Sequence, residues 1–224
     1  MTEAQARGEI VRVGRSLFER GYVHATAGNI SVRLPDGGCL ITPTDACLGF
    51  LDPERLARVD VAGQQIAGDT ASKTLALHRR IYEAARRLDP DTACIIHTHS
   101  THCVALTLEL EREGNGELLP ALTPYFVMKV GHVPLIDYTR PGDALAAERV
   151  EAAIARYANA GTPIRAVMLE RLGPNVWHDT PAAAMATLEE LEETARLWLL
   201  NGRRAAPLDA AAIASLRETF GAHF

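Results

Sequence analysis

Two histidines close a short apolar run, Ile95-Ile96-His97-Thr98-His99-Ser100. Side chains two apart on an extended strand project from the same face, so both imidazoles can reach one metal ion. Neutral imidazole is a good ligand for Zn²⁺. Taken alone, such a pair more often just ends a strand in polar residues. His102, three further on, falls on a different face once the chain turns helical and reads as structural. Three other short motifs offer polar contacts. Thr26-Ala27-Gly28-Asn29 combines a glycine that permits close backbone approach with hydrogen-bonding side chains. Thr42-Pro43-Thr44-Asp45 is a turn after a strand. Ala71-Ser72-Lys73-Thr74 opens a helix, with Ser72 as its N-cap. The free N–H groups and dipole of such a terminus favour an anion, and Lys73 adds charge suited to a phosphate or carboxylate. Singly, each is ordinary turn chemistry.

The elements that must position these residues follow from periodicity. Ile10, Val11, Val13, Leu17 and Phe18 recur at helical spacing over residues 3–21, with Gly21 at the C-terminal end. Residues 29–34 and 39–42 read as a hairpin about Asp36-Gly37-Gly38, and residues 59–66 as a second one about Ala62-Gly63. Residues 72–87 read as a helix, 93–97 as a strand and 101–110 as a helix. A charged loop over 111–117 and an irregular segment over 122–138 come next. A helix ends near Asn159, strands cover 165–169 and 175–177, and helices cover 181–200 and 209–219. Helices alternate with hairpins and single strands, without repeats or long linkers. The expectation is one α/β domain over residues 1–224, with a mixed central sheet covered by helices.

Composition narrows the function classes. The 224 residues are 47% hydrophobic and 23% charged, ordinary for a globular domain able to bury a core. The formal net charge is −5 and the Lys and Arg residues are scattered, which argues against a nucleic-acid partner. No apolar run approaches the ~20 residues of a membrane span. The polar start lacks a signal-peptide pattern, so the cytoplasm is expected. Cys39, Cys47, Cys94 and Cys103 form no CxxC pair and read as free thiols.

Read together, the motifs carry more than they do singly. Residues 28–33 (GNISVR), 40–44 (LITPT) and 51–54 (LDPE) are followed by Gly68-Asp69, Ser72, His78, Ile81-Tyr82 and the His97–Ser100 run. This order resembles the class II aldolase/adducin family over about residues 8 to 200. Residues 42–51 (TPTDACLGFL), 122–131 (LTPYFVMKVG), 138–143 (YTRPGD) and 188–200 (LEELEETARLWLL) are most similar to its 3-oxo-tetronate 4-phosphate decarboxylase branch, as is Lys73. The resemblance implies that Asn29, Thr44 and Ser72 hold a phosphate and that His97 and His99 hold zinc or another divalent metal. It implies a carbon–carbon lyase acting on an acid sugar phosphate through a zinc-stabilised enediolate, with Lys73 steering the anion. It also implies a homotetramer with interfacial active sites, in which Tyr125 is a candidate proton donor.

Two positions depart from the family pattern. The family places an acid/base glutamate four residues before the helix histidine, here His78, and this chain has Thr74. It places a third zinc histidine in an Asn-His-Gly turn, and this chain has Arg171-Leu172-Gly173. His178, six residues on, could replace that ligand only if the chain turned back; His132 and a neighbouring subunit are the other sources. Retro-aldol cleavage needs a base for the substrate hydroxyl, and threonine is a poor one. Decarboxylation of a 3-oxo acid needs no such base. Thr74 therefore favours decarboxylation over an aldolase with a relocated base. A non-catalytic, adducin-like binding module is the remaining reading.

Overall fold

In the computed structural model, residues 1–108 and 116–224 are described. They fall into two compact units, residues 1–99 with 177–185, and residues 100–176 with 186–224. The first unit opens with α1 (Glu3–Glu19). Thr2 and Gln5 form a reciprocal capping box that satisfies donors at its N-terminus. Ala6, Ile10, Val13, Gly14 and Leu17 form its buried stripe. Then come β1 (Asn29–Arg33), β2 (Cys39–Ile41), β3 (Ala57–Val59), β4 (Gln65–Ala67), α2 (Leu75–Ala85) and β5 (Cys94–His97). The strands lie in the order β4-β3-β2-β1-β5, each pair antiparallel. Every residue of β5 is buried, which is why it reads as a continuous apolar run rather than an alternating one.

The second unit contains α3 (Thr101–Leu106), α4 (Pro124–Lys129), β6 (Leu135–Ile136), α5 (Ala144–Asn159), β7 (Ala166–Leu169) and most of β8 (Gly173–His178). It also holds most of α6 (Pro181–Leu200) and all of α7 (Ala210–Phe220). β6 pairs with β7 in parallel and β7 with β8 antiparallel, so the sheet is mixed, as expected for the α/β class. Among the described residues no helix is long and apolar enough to cross a membrane.

Two expectations need correction. The segment 122–138 is not irregular throughout: it holds α4, whose N-cap Thr123 accepts from the Phe126 N–H, and the short strand β6. α2 starts at Leu75, so Ser72 is not its N-cap. Instead the Ser72 and Thr74 hydroxyls pair at 2.9 Å, and this local bond replaces the first helical turn. The expected helix end at Leu110 and most of the charged loop fall on residues 109–115, outside the described residues.

Candidate active site

One antiparallel ladder gathers the residues singled out in the sequence. His97, the last residue of β5, pairs with Asn29, the first of β1. One position along, the Ile30 N–H donates to Thr42 Oγ1 at 3.2 Å and the Thr42 N–H to the Ile30 carbonyl at 3.0 Å. The Ser72 N–H then donates to the Thr42 carbonyl at 3.2 Å, and the Thr44 N–H to the Thr70 carbonyl at 2.8 Å. Asn29, Thr44 and Ser72 are thus brought to neighbouring positions, with His97 on the far side of Asn29. Asn29 is buried and its Oδ1 has no partner among the described residues, an orphaned polar group of the kind a polar ligand would satisfy. Lys73 is exposed beside them.

The rings of His97 and His99 are neighbours. Their ring centroids are 5.1 Å apart with planes inclined at 67°. A ring centred about 3.2 Å from a tetrahedral zinc, given Zn–N of about 2.0–2.1 Å, puts two such rings about 5.2 Å apart. The pair therefore fits two ligands of one divalent metal. Burial lowers the His99 pKa, with nearby His24 adding to the shift, and so favours the neutral ring. Among the described residues no three His, Cys, Asp or Glu side chains are gathered closely enough to hold a metal as they stand. The described cavities lie elsewhere: a cleft of about 650 Å³ touches Thr44, Asp45, Arg55 and Thr70 but neither histidine.

Behind the ladder, His78 on α2 is fully buried. Its Nδ1 lies 2.8 Å from Ser31 Oγ, which is 3.0 Å from the Tyr82 hydroxyl. Tyr82 donates to the Ser31 and Ala93 carbonyls. Burial, with His97 nearby, depresses the His78 pKa to about 3, so the ring is neutral at physiological pH.

The comparisons with known proteins bear on what this arrangement belongs to. Residues 8–199 match the family described as Class II Aldolase and Adducin N-terminal domain. A 3-oxo-tetronate 4-phosphate decarboxylase of Cupriavidus necator is 49% identical over 229 residues, covering 100% of this chain and 99% of its own. The enzyme of that name from Escherichia coli K12 is 39% identical, covering 96% of each. This chain belongs to the class II aldolase/adducin family. Among solved structures, Escherichia coli YgbL superposes with a TM-score of 0.85 at 38% identity, covering 96% of this chain and 99% of that one. L-fuculose-1-phosphate aldolase from Thermus thermophilus gives 0.73 at 26% identity, covering 92% and 100%.

The class II aldolase pattern also identifies the positions where this chain differs. Leu172 is half-buried and has no lone pair to offer. β8 runs on to His178 without turning back, and the His178 ring bonds Asp179, so the chain path that would have returned it to position 172 is absent. The His132 ring stacks on Phe224 at 4.2 Å, with its Nδ1 3.2 Å from Glu117 Oε1. Tyr125 is 62% exposed on α4. His102 is structural, as expected, bonded to the buried Glu192 carboxylate. The sequence reading passed over two features. One is His24, whose ring centre is 6.4 Å from that of His99; its place just before the Thr26–Asn29 motif was the available signal. The other is Glu192, 90 residues from its partner, for which no local signal exists.

Proposed function

We propose that this chain is a metal-dependent lyase that decarboxylates a 3-oxo-tetronate 4-phosphate. The carrying observation is the full-length likeness to decarboxylases of that name, 49% identical along 100% of the chain. The acid has a carboxylate on C1, a hydroxyl on C2, a ketone at C3 and a phosphate on C4. Loss of CO₂ breaks the C1–C2 bond and leaves its electron pair as a C2–C3 enediolate. Protonation at C2 then gives dihydroxyacetone phosphate. Zinc, when held by His97 and His99, supplies the positive charge that draws those electrons towards the ketone oxygen. Asn29, Thr44 and Ser72 anchor the phosphate, and Lys73 attracts the anionic acid. The Thr74 hydroxyl holds Ser72 in place rather than acting as a base. Tyr125 delivers the proton from a neighbouring subunit of a homotetramer. The metal, the tetramer and a cytoplasmic location belong to this proposal.

The test is to incubate the purified chain with 3-oxo-tetronate 4-phosphates of each configuration and follow CO₂ and dihydroxyacetone phosphate in equal amounts. Chelation should stop both, and added Zn²⁺ should restore them. Aldol cleavage of L-fuculose 1-phosphate exceeding CO₂ release would favour the relocated-base aldolase. Substrate binding without turnover would favour the adducin-like module, a reading supported by Thr74 and Leu172.

A further inference from the structure

β1 carries different chemistry at its two ends. Asn29, Ser31 and Arg33 alternate onto one face of the strand, so Asn29 of the proposed phosphate cradle and Arg33 stand about 13 Å apart. At the Arg33 end the register sets Arg33, Cys39 and Val59 abreast across β1, β2 and β3. Arg79 and Tyr82 of α2 and its C-cap Arg86 recur at i, i+3 and i+7 and so share one side of that helix. The strand row and the helix side together line a cleft of about 210 Å³.

The charge in this cleft is not neutralised. Arg33, Arg79 and Arg86 are each half-buried in its lining. Arg79 Nη1 donates to the Ala62 carbonyl at 3.2 Å, and Arg86 Nη1 to the Thr92 carbonyl at 2.9 Å. Each bond fixes a guanidinium through one nitrogen and leaves its other donors open. Gly63, with φ +89°, makes room for the first, since a Cβ there would overlap Arg79 Nη1. Among the described residues Arg33 makes no side-chain hydrogen bond, and none of the three arginines forms an ion pair. Asp60 and Glu83 also line the cleft, but Asp60 Oδ1 accepts from the Gln64 N–H and Glu83 is exposed. The Cys39 thiol registers the field: burial raises its pKa, while Arg58, Arg79 and Arg33 pull it down. Like charges around one cleft repel one another, and an anion between them relieves that cost.

We infer that this cleft binds a phosphate group, as the free ion or as the phosphoryl group of a small metabolite. Guanidinium forks match phosphate oxygens bidentately, and several forks suit a tetrahedral dianion better than a carboxylate, which one fork satisfies. The cleft is separate from the proposed cradle at Asn29, Thr44 and Ser72 and does not depend on the lyase reading.

Titration calorimetry with inorganic phosphate and with glycerol 3-phosphate tests it on the native chain, Arg33→Gln, Arg86→Gln, Arg80→Gln and Ser72→Ala. The expected result is a binding event that weakens at least about tenfold in Arg33→Gln and in Arg86→Gln, as for a lost hydrogen bond between charged groups. Ser72→Ala should leave that event unchanged, as should Arg80→Gln, which removes an exposed arginine of α2 outside the cleft. The probe that the native chain binds more tightly then identifies the source, free ion or phosphoryl group. The proposal fails if the native chain binds neither probe or if only Ser72→Ala weakens binding. It fails too if Arg80→Gln weakens binding as much as the cleft variants, since diffuse surface charge would then account for it. The thermal midpoint of each variant separates a lost ligand contact from a lost fold.

Discussion

His99 and His102 are three residues apart, yet their surroundings differ in kind. His99 faces two other imidazoles, His97 and His24, and burial lowers its pKa. His102 lies in the other unit with its Nδ1 2.8 Å from Glu192 Oε1, and that buried carboxylate also accepts from the His102 and Cys103 N–H groups. Ser100, the N-cap of α3, makes no side-chain cap bond, and Glu192 does the capping from α6. A carboxylate at a helix N-terminus satisfies free donors and complements the dipole. The same side chain is thus structural where a buried carboxylate bonds it and open to other uses where its neighbours are imidazoles. Residue type is shared; the partner decides the role.

That contrast can be broken by substitution. The largest effect is expected from His99→Ala, which should lower decarboxylation by at least about 100-fold while leaving the thermal midpoint of the metal-free chain within a few degrees. Glu192→Ala should do the reverse. It leaves two backbone donors and His102 without their acceptor, so urea unfolding should show a loss of about 2–3 kcal/mol, with native metal content. Unchanged stability would mean that water caps α3 equally well.

Smaller effects sharpen the picture. Ser72→Ala removes one hydroxyl from the proposed phosphate cradle and should raise KM about tenfold, as expected for one hydrogen bond to a charged group, with little change in kcat. A fall in kcat alone would move Ser72 out of phosphate binding. The last effect concerns His78, whose folded pKa is depressed to about 3 from 6.5. Above pH 6.5 the ring is neutral both folded and unfolded. Below it the unfolded chain takes up a proton that the folded chain refuses. Stability of the metal-free chain should therefore fall as pH drops from 6.5 towards 3, by up to about 1.4 kcal/mol per unit for this one proton. His78→Gln should flatten that slope in urea titrations at several pH values.

The parts of this account legible in the sequence are those with short-range causes. The HxH pair converges because strand geometry repeats every two residues, and β1, β2 and β5 follow from apolar runs bounded by turns. The Thr123-Pro124 start of α4 was present as a signal, an N-cap followed by proline at the first helical position, but the six-residue helix is too short to show a period. The late start of α2 depends on two hydroxyls choosing each other, which composition does not reveal. Glu192 meeting His102, and the His24 turn lying against β5, are tertiary facts. Only the fold brings those residues together, and their sequence separation hides it.

The most direct test of the central claim is the metal content of the purified native chain beside its His97→Ala variant, both prepared without chelator and with zinc supplied. The account predicts about one zinc per native chain and loss of that zinc in the variant, because catalytic sites of this kind depend on each protein ligand. No metal in either, with both folded, would contradict it: Leu172 would then have dismantled the site, and the chain would be a binding module built on a lyase fold.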